Sequence, residues 1–137
     1  MRVVIYLDDD QLELKYYDEI GNLEKGLTKA GHTIVKLDYG SLQRAHVSFM
    51  DGPEFTADAY ILTPGVMMSK DKFLQHCGLK RDKVHNKPVI LYDFDENFTT
   101  ISQELLQWCE NNDVPLGKTR HWWTSVTSVK EIINLLK

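Results

Sequence analysis

The 137-residue sequence is short of several things, and each shortage closes off a class of protein. It has two cysteines, Cys77 and Cys109, far apart and with no CxxC or Cys/His spacing around either. That excludes a disulfide scaffold and a zinc module, and the pair are expected to be small apolar fillers of a reduced protein. Positive charge is also short, since 16 Lys and Arg stand against 20 Asp and Glu, a formal net charge of -4. With no basic excess to displace counterions from a phosphate backbone, nucleic acid is not an expected partner. The densest basic run, Lys80 to Lys87, alternates with Asp82 and polar residues and looks like a solvated loop. No apolar run is long enough to span a bilayer and no basic, apolar leader opens the chain, so a cytoplasmic protein without a membrane partner is expected. Low-complexity linkers and internal repeats are missing too, and residues 1–137 are expected to form one domain.

What the chain does have is an alternation of short apolar runs with longer helical periods. Arg2 to Leu7 and Thr33 to Leu37 are β-branched and strand-length. Between them Leu14, Tyr17, Ile20, Leu23, Leu27 and Ala30 recur at helical spacing, Asp10 and Glu13 have capping-box spacing, and Gly31 stands where a left-handed cap ends a helix. Ala45 to Met50 is a weaker strand, ended by Asp51-Gly52-Pro53. Ala59 to Thr63 is a strand broken by Pro64-Gly65, and Ser69 is placed to cap a helix that carries Phe73, Leu74 and Cys77 to a stop at Gly78. Pro88 to Tyr92 is a further strand, and Ile101, Leu105, Trp108 and Cys109 mark a helix ending at Asn111-Asn112. Trp122 to Val126 forms an edge strand on which the two tryptophans face opposite ways. Ser128 and Glu131 make a capping box for a last helix with Ile132, Ile133, Leu135 and Leu136. The pattern specifies an α/β fold that is Rossmann-like and doubly wound, a mostly parallel sheet of five or six strands with helices on both faces. In such sheets ligands gather outside the carboxyl ends of the strands, which directs attention to Asp8–Asp10, Asp38–Ser41, Thr63–Ser69 and Asp93–Asn97.

The segment Thr63-Pro-Gly-Val-Met-Met-Ser69 resembles a worn form of the PGGxGTxxE motif of the Lonely Guy family of nucleotide-binding, Rossmann-like proteins. Upstream, Phe55-Thr-Ala-Asp-Ala-Tyr-Ile-Leu62 is similar to that family's ADAFIALPGG run. Downstream, Val84-His-Asn-Lys-Pro-Val-Ile-Leu-Tyr-Asp93 is similar to its IHDKPVVLLN strand, Asp95-Glu-Asn-Phe98 stands in place of its DGYY turn, and Ser128-Val-Lys-Glu131 resembles its closing helix start. The resemblance implies a nucleotide or nucleotide-derived ligand and a homodimer paired through helices. It also implies release of the base from a nucleoside 5′-monophosphate, by an arginine-glutamate pair on a central helix together with the motif glutamate. Here the motif departs from the family. Its second and third glycines are Val66 and Met68, its threonine is Ser69 and its glutamate is Lys72. Asp71 is one residue away, a rotation of about 100° on a helix. The stretch from Gly40 to Asp51 is too short for the family's glycine-rich turn and arginine helix, Arg44 is its lone arginine, and the glycine- and serine-rich loop after the first strand has become Asp8-Asp9-Asp10. These departures imply a binder without the hydrolase chemistry. The alternative is a residual N-glycosidase or phosphoribohydrolase using Asp71 or an acid of the Asp8–Asp10 loop.

The expected ligand cradle is the helix start after Thr63, built from Thr63, Pro64, Gly65, Val66, Ser69, Lys70 and Lys72. Free N–H groups of a first helical turn favour an anion, and Lys70 and Lys72 stand where a purely structural helix prefers Asp or Glu. Met67 and Met68 are expected to be packing residues. Asp8 and Asp9, with Asp93 and Asp95 after a later strand, form a possible ligand loop. Their strand-end placement is also similar to the Mg²⁺ layout of haloacid-dehalogenase-like phosphatases, against which Asp10 has a capping role and Gln11-Leu12 do not continue that pattern. No cofactor and no resident metal site are expected. His32, His46, His76, His85 and His121 share no metal spacing, and a surface or capped role is expected of each, with His85 structural before the Lys-Pro strand.

Overall fold

The computed structural model describes residues 1–7, 17–38, 54–63, 68–92, 107–113 and 122–137. Its elements are β1 (Arg2–Leu7), α1 (Tyr17–Lys29), β2 (Thr33–Asp38), β3 (Ala59–Leu62), α2 (Met68–Arg81), β4 (Val89–Tyr92), β5 (Thr124–Val126) and α3 (Val129–Leu135). Residues 107–111 are helical as well. The five strands make one parallel sheet in the order β2-β1-β3-β4-β5. This is a doubly wound arrangement, and it is the order of flavodoxin-like sheets. The weaker strand expected over Ala45 to Met50 and the capping box of Asp10 and Glu13 lie outside the described residues.

Side chains of successive strand residues point to opposite faces, and the sheet is apolar on both. Val3 and Ile5 of β1, Ala59 and Ile61 of β3, and Ile90 and Tyr92 of β4 pack with Ile20, Leu23 and Leu27 of α1 and Ile132 of α3. Val4 and Tyr6, Tyr60 and Leu62, and Val89 and Leu91 face the other way, toward Phe73 and Cys77 of α2 and toward Cys109. The spacing of Ile20, Leu23 and Leu27 is what turns one stripe of α1 to the sheet. Ala30, the last residue of that expected pattern, lies beyond the helix and is exposed. α1 and α3 meet closely because Gly26 has no side chain; a Cβ there would lie 2.7 Å from Val129 Cγ1.

The ends of the helices show where sequence signals held and where they did not. Gly31, at φ 93°, closes α1 with bonds from its N–H to the Thr28 carbonyl and from the His32 N–H to the Leu27 carbonyl. This is the Schellman arrangement expected of a glycine at that position. α2 does not stop at Gly78. It runs on to Arg81 and closes the same way on Lys83, at φ 61°, with Val84 N–H on the Leu79 carbonyl and Lys83 N–H on the Lys80 carbonyl. The stop is set by this hydrogen-bond pattern, and Gly78 lies inside the helix, where a Cβ would meet Trp108 Cζ2 at 3.8 Å in ordinary contact. α2 also opens at Met68, so Ser69 falls inside the first turn and is not the cap. Ser128 does cap α3, accepting from the Glu131 N–H at 3.3 Å while its hydroxyl donates to the Glu131 carboxylate at 3.1 Å.

The last strand is β5, paired with β4 alone in this sheet, and it begins at Thr124. Trp122 and Trp123 precede it, so the alternation of a strand does not govern them. Both are half-buried against the α2 face, Trp123 edge-on to Phe73 at 5.2 Å and Trp122 edge-on to Trp108 at 6.3 Å.

Candidate functional site

The chain passes from β1 to β2 on one side of β1 and then crosses to β3 on its other side. The carboxyl ends of β1 and β3 are therefore a topological switch point, the place where a doubly wound sheet opens a crevice. Tyr6, one step before the end of β1, stands opposite Leu62, the last residue of β3. Thr63, 1% exposed, donates its hydroxyl to the Tyr6 carbonyl at 2.7 Å and so pins the two strand ends together. The first turn of α2, containing Ser69, Lys70 and Asp71, follows shortly after Thr63. Asp8, Asp9 and Asp10, Pro64, Gly65, Val66 and Met67, and Asp93 and Asp95 lie outside the described residues. A separate groove at the β2 edge, between Asp18, Lys25 and the ion pair of Lys36 with Glu24 at 3.0 Å, is lined by none of the expected site residues.

Lys72 is held by a residue that carries no pattern in the sequence. Its ammonium donates to Glu54 Oε1 at 3.0 Å and to Gln75 Oε1 at 2.8 Å, with 15% of its side chain exposed and 5% of that of Glu54. Glu54 belongs to the turn before β3. Its second carboxylate oxygen accepts from the Tyr6 hydroxyl at 2.5 Å, and its carbonyl accepts from the Tyr60 hydroxyl at 2.7 Å. The Tyr6 oxygen is 2.9 Å from His76 Nε2, His76 Nδ1 is 3.0 Å from His85 Nε2, and His85 Nδ1 accepts from the Lys87 main-chain N–H at 3.0 Å. A connected line of polar side chains thus runs between α2 and the sheet. Tyr6, Glu54, Tyr60, His76 and His85 are all buried.

The expectation of a surface or capped histidine fails at His76, which is 1% exposed, whereas His85, 8% exposed and accepting from the Lys87 main-chain N–H, has the structural place expected before the Lys-Pro strand. A signal for His76 was present: Phe73, His76, Cys77 and Lys80 fall at i, i+3, i+4 and i+7, so the ring lies on the buried stripe of α2. Glu54, in a turn, left no periodic trace. The solvated loop expected from Lys80 to Lys87 is likewise corrected. Lys80 donates to the Trp122 carbonyl at 2.6 Å and Lys87 to the Phe55 carbonyl at 2.5 Å, while Arg81 to Val84 and Asn86 are exposed.

Burial sets the charge states of this cluster. His76 is pushed well below the usual histidine range by desolvation first, then by His85 and the ammonium groups of Lys72, Lys80 and Lys87. His85 is lowered to about 4 by desolvation and then by Lys80 and Lys87. Tyr6 is held protonated by burial and by the adjoining Glu54 carboxylate. The neutral imidazoles and the phenol therefore act as hydrogen-bonding groups at neutral pH. Cys77 and Cys109 are free and buried, and burial raises the Cys77 thiol to about 12, so neither is an activated nucleophile. Among the described residues no three His, Cys, Asp or Glu side chains are grouped to hold a metal ion, and no helix is long and apolar enough to cross a membrane.

Fold and site together define a doubly wound α/β protein with a topological switch point at the carboxyl ends of β1 and β3 and a buried polar cluster between α2 and the sheet. Compared with known proteins, the sequence matches no protein-family model and no curated protein.

Proposed function

We propose that the chain binds a small phosphorylated ligand of the nucleotide class at the β1/β3 switch point, and that it does so without turning it over. The observation that supports this reading is the sheet order, which makes the carboxyl ends of β1 and β3 a topological switch point, with the first turn of α2 following Thr63 closely in the chain. Main-chain N–H groups of that turn and the positive end of the helix favour a phosphate. The likeness of Thr63-Pro-Gly to the nucleotide-binding motif of the Lonely Guy family supports the same place.

The structure redistributes the expected roles within this cradle. Lys72 already faces a carboxylate, so the ligand's charge is met by the N–H groups of the turn, and Lys72 serves to anchor the helix that presents them. The family's catalytic glutamate position is this same Lys72. Glu54, the carboxylate beside it, is buried and accepts from both Lys72 and Tyr6, which favours a structural role for it over that of the family's glutamate.

Titration of ¹⁵N-labelled protein with adenosine 5′-monophosphate, ribose 5-phosphate, inorganic phosphate and adenosine tests the reading. Shifts confined to the amides of Leu7, Thr63 and Met68 to Asp71, produced by the phosphorylated compounds and not by adenosine, are expected, with no free base formed. No shift at millimolar ligand, or shifts elsewhere on the molecule, refutes the binding site. Release of adenine refutes the non-catalytic part.

A further inference from the structure

Glycine inside a helix weakens it relative to alanine, unless the missing side chain serves something else. α1 contains two glycines. Gly26 has a use, because α3 packs where its Cβ would stand. Gly21 has none in the packing. A Cβ there would have nothing within 4 Å, and a longer side chain would enter the groove that Gly21 lines at the β2 edge. The absence of a side chain is what keeps this space open along the flank of α1. The groove holds about 310 Å³, at the low end of the range for small-molecule sites, and this limits the size of any occupant.

The lining determines the chemistry. Glu24 and Lys36 are paired at 3.0 Å, so their charges offset each other. Asp18, Asn22 and Lys25 remain, all exposed, and among the described residues their side chains make no hydrogen bond and no ion pair. They stand at i, i+4 and i+7, one line along the helix with Gly21 beside it. An acid in a first helical turn suits the helix dipole and by itself needs no further reason. The line as a whole is bipolar: a carboxylate at one end, a primary amide in the middle and an ammonium at the other end. At 1.5 Å per residue its ends are about 10 Å apart. We propose that this groove binds a zwitterionic peptide of two or three residues, its ammonium at Asp18 and its carboxylate at Lys25. Three extended residues span about 10 Å, the length of the line, whereas a single amino acid holds its charges too close together to meet both ends. The Asn22 amide both donates and accepts, as a peptide group does, and the bare backbone at Gly21 lets the peptide lie close to the helix. The site is separate from the switch point and does not depend on the phosphate reading.

The test is a titration of the ¹⁵N-labelled full chain with triglycine, glycine, N-acetyltriglycine and triglycinamide at neutral pH. Millimolar triglycine is expected to shift the amides of Asp18 to Lys25 and of Lys36. Glycine and the two capped peptides, each lacking one of the two matched charges or the length between them, should bind about two- to fivefold more weakly. Lys25→Gln should weaken triglycine by about the same factor and leave triglycinamide, which has no carboxylate to lose, unchanged. Gly21→Gln should abolish the shifts without lowering the melting temperature. No shift in the groove with triglycine overturns the proposal, as do equal affinities for the four compounds or an equal loss of triglycine and triglycinamide in Lys25→Gln. A Gly21→Gln variant that still binds, or that melts lower because the glycine is needed by the packing, overturns it as well.

Discussion

Replacing Lys72 by methionine separates two accounts of this residue, a cation waiting for phosphate and a partner for a buried carboxylate. Methionine keeps the length of the stem and removes the charge. The Glu54 carboxylate, 5% exposed, is then left with the Tyr6 hydroxyl and no cation. Breaking a fully buried ion pair by removing one partner costs about 3–5 kcal/mol. The partial exposure of Lys72 and the surviving bond from Tyr6 bring the expected loss down to about 2–4 kcal/mol. With a urea dependence of about 2 kcal/mol per molar for a chain of this length, the unfolding midpoint should fall by about 1–2 M. Tryptophan fluorescence is a suitable probe, because Trp108, Trp122 and Trp123 pack on the α2 face. Glu54→Gln should cost about 2 kcal/mol, and the double variant should recover a coupling of about 1–3 kcal/mol. A midpoint lowered by less than about 0.3 M in Lys72→Met would refute the pairing and return Lys72 to the solvent-facing role.

Three further outcomes follow from named contacts. His76 and His85 are neutral when folded and take protons near pH 6.5 when unfolded, so between about 6.5 and 4 the unfolded chain binds more protons and stability falls as pH falls. Allowing for water at its exposed edge, His85 alone contributes a loss of about 2 kcal/mol across that window, and a melting temperature that holds level from pH 7.5 to 5 would contradict it. Within α1, Gly26→Ala should destabilise by about 1–2 kcal/mol, since its Cβ would lie 2.7 Å from Val129 Cγ1, whereas Gly21→Ala, with nothing within 4 Å, should stabilise by up to about 1 kcal/mol; denaturation of both variants gives the sign of each. Cys77 and Cys109 should react with an aromatic disulfide reagent only in denaturant, and prompt reaction of the folded protein would show that one of them is accessible.

The scaffold was legible because its signals are local. β-branched runs such as Val3 to Leu7 make strands, the spacing of Ile20, Leu23 and Leu27 makes a helix face, and Gly31 and Ser128 are caps read from a few neighbours. Strand order is not local. It emerges only when the chain crosses over β1, so the switch point was expected as a place but not as a particular pair of strands. The buried cluster was illegible for a related reason. Tyr6, Glu54, His76 and His85 come from a strand, a turn, a helix and a connection, and no spacing links them. A charge misplaced near a helix start pointed to a partner for Lys72, and that partner proved to be a carboxylate of the same chain.

The position of β1 has a consequence for how the molecule assembles. It precedes both of its neighbours in the chain, and it needs β2 on one edge and β3 on the other. The β2 edge can be satisfied as soon as α1 folds back, by contacts close in sequence. The β3 edge must wait for everything between Leu7 and Ala59 to be made. Until then Val3, Val4, Ile5 and Tyr6 offer a bare row of peptide groups with an apolar side chain on either face, a template that a second unfinished chain can pair with. Agents that shield nascent strands should therefore raise the yield of this protein more than any surface substitution, and the benefit should end once β3 has closed the gap.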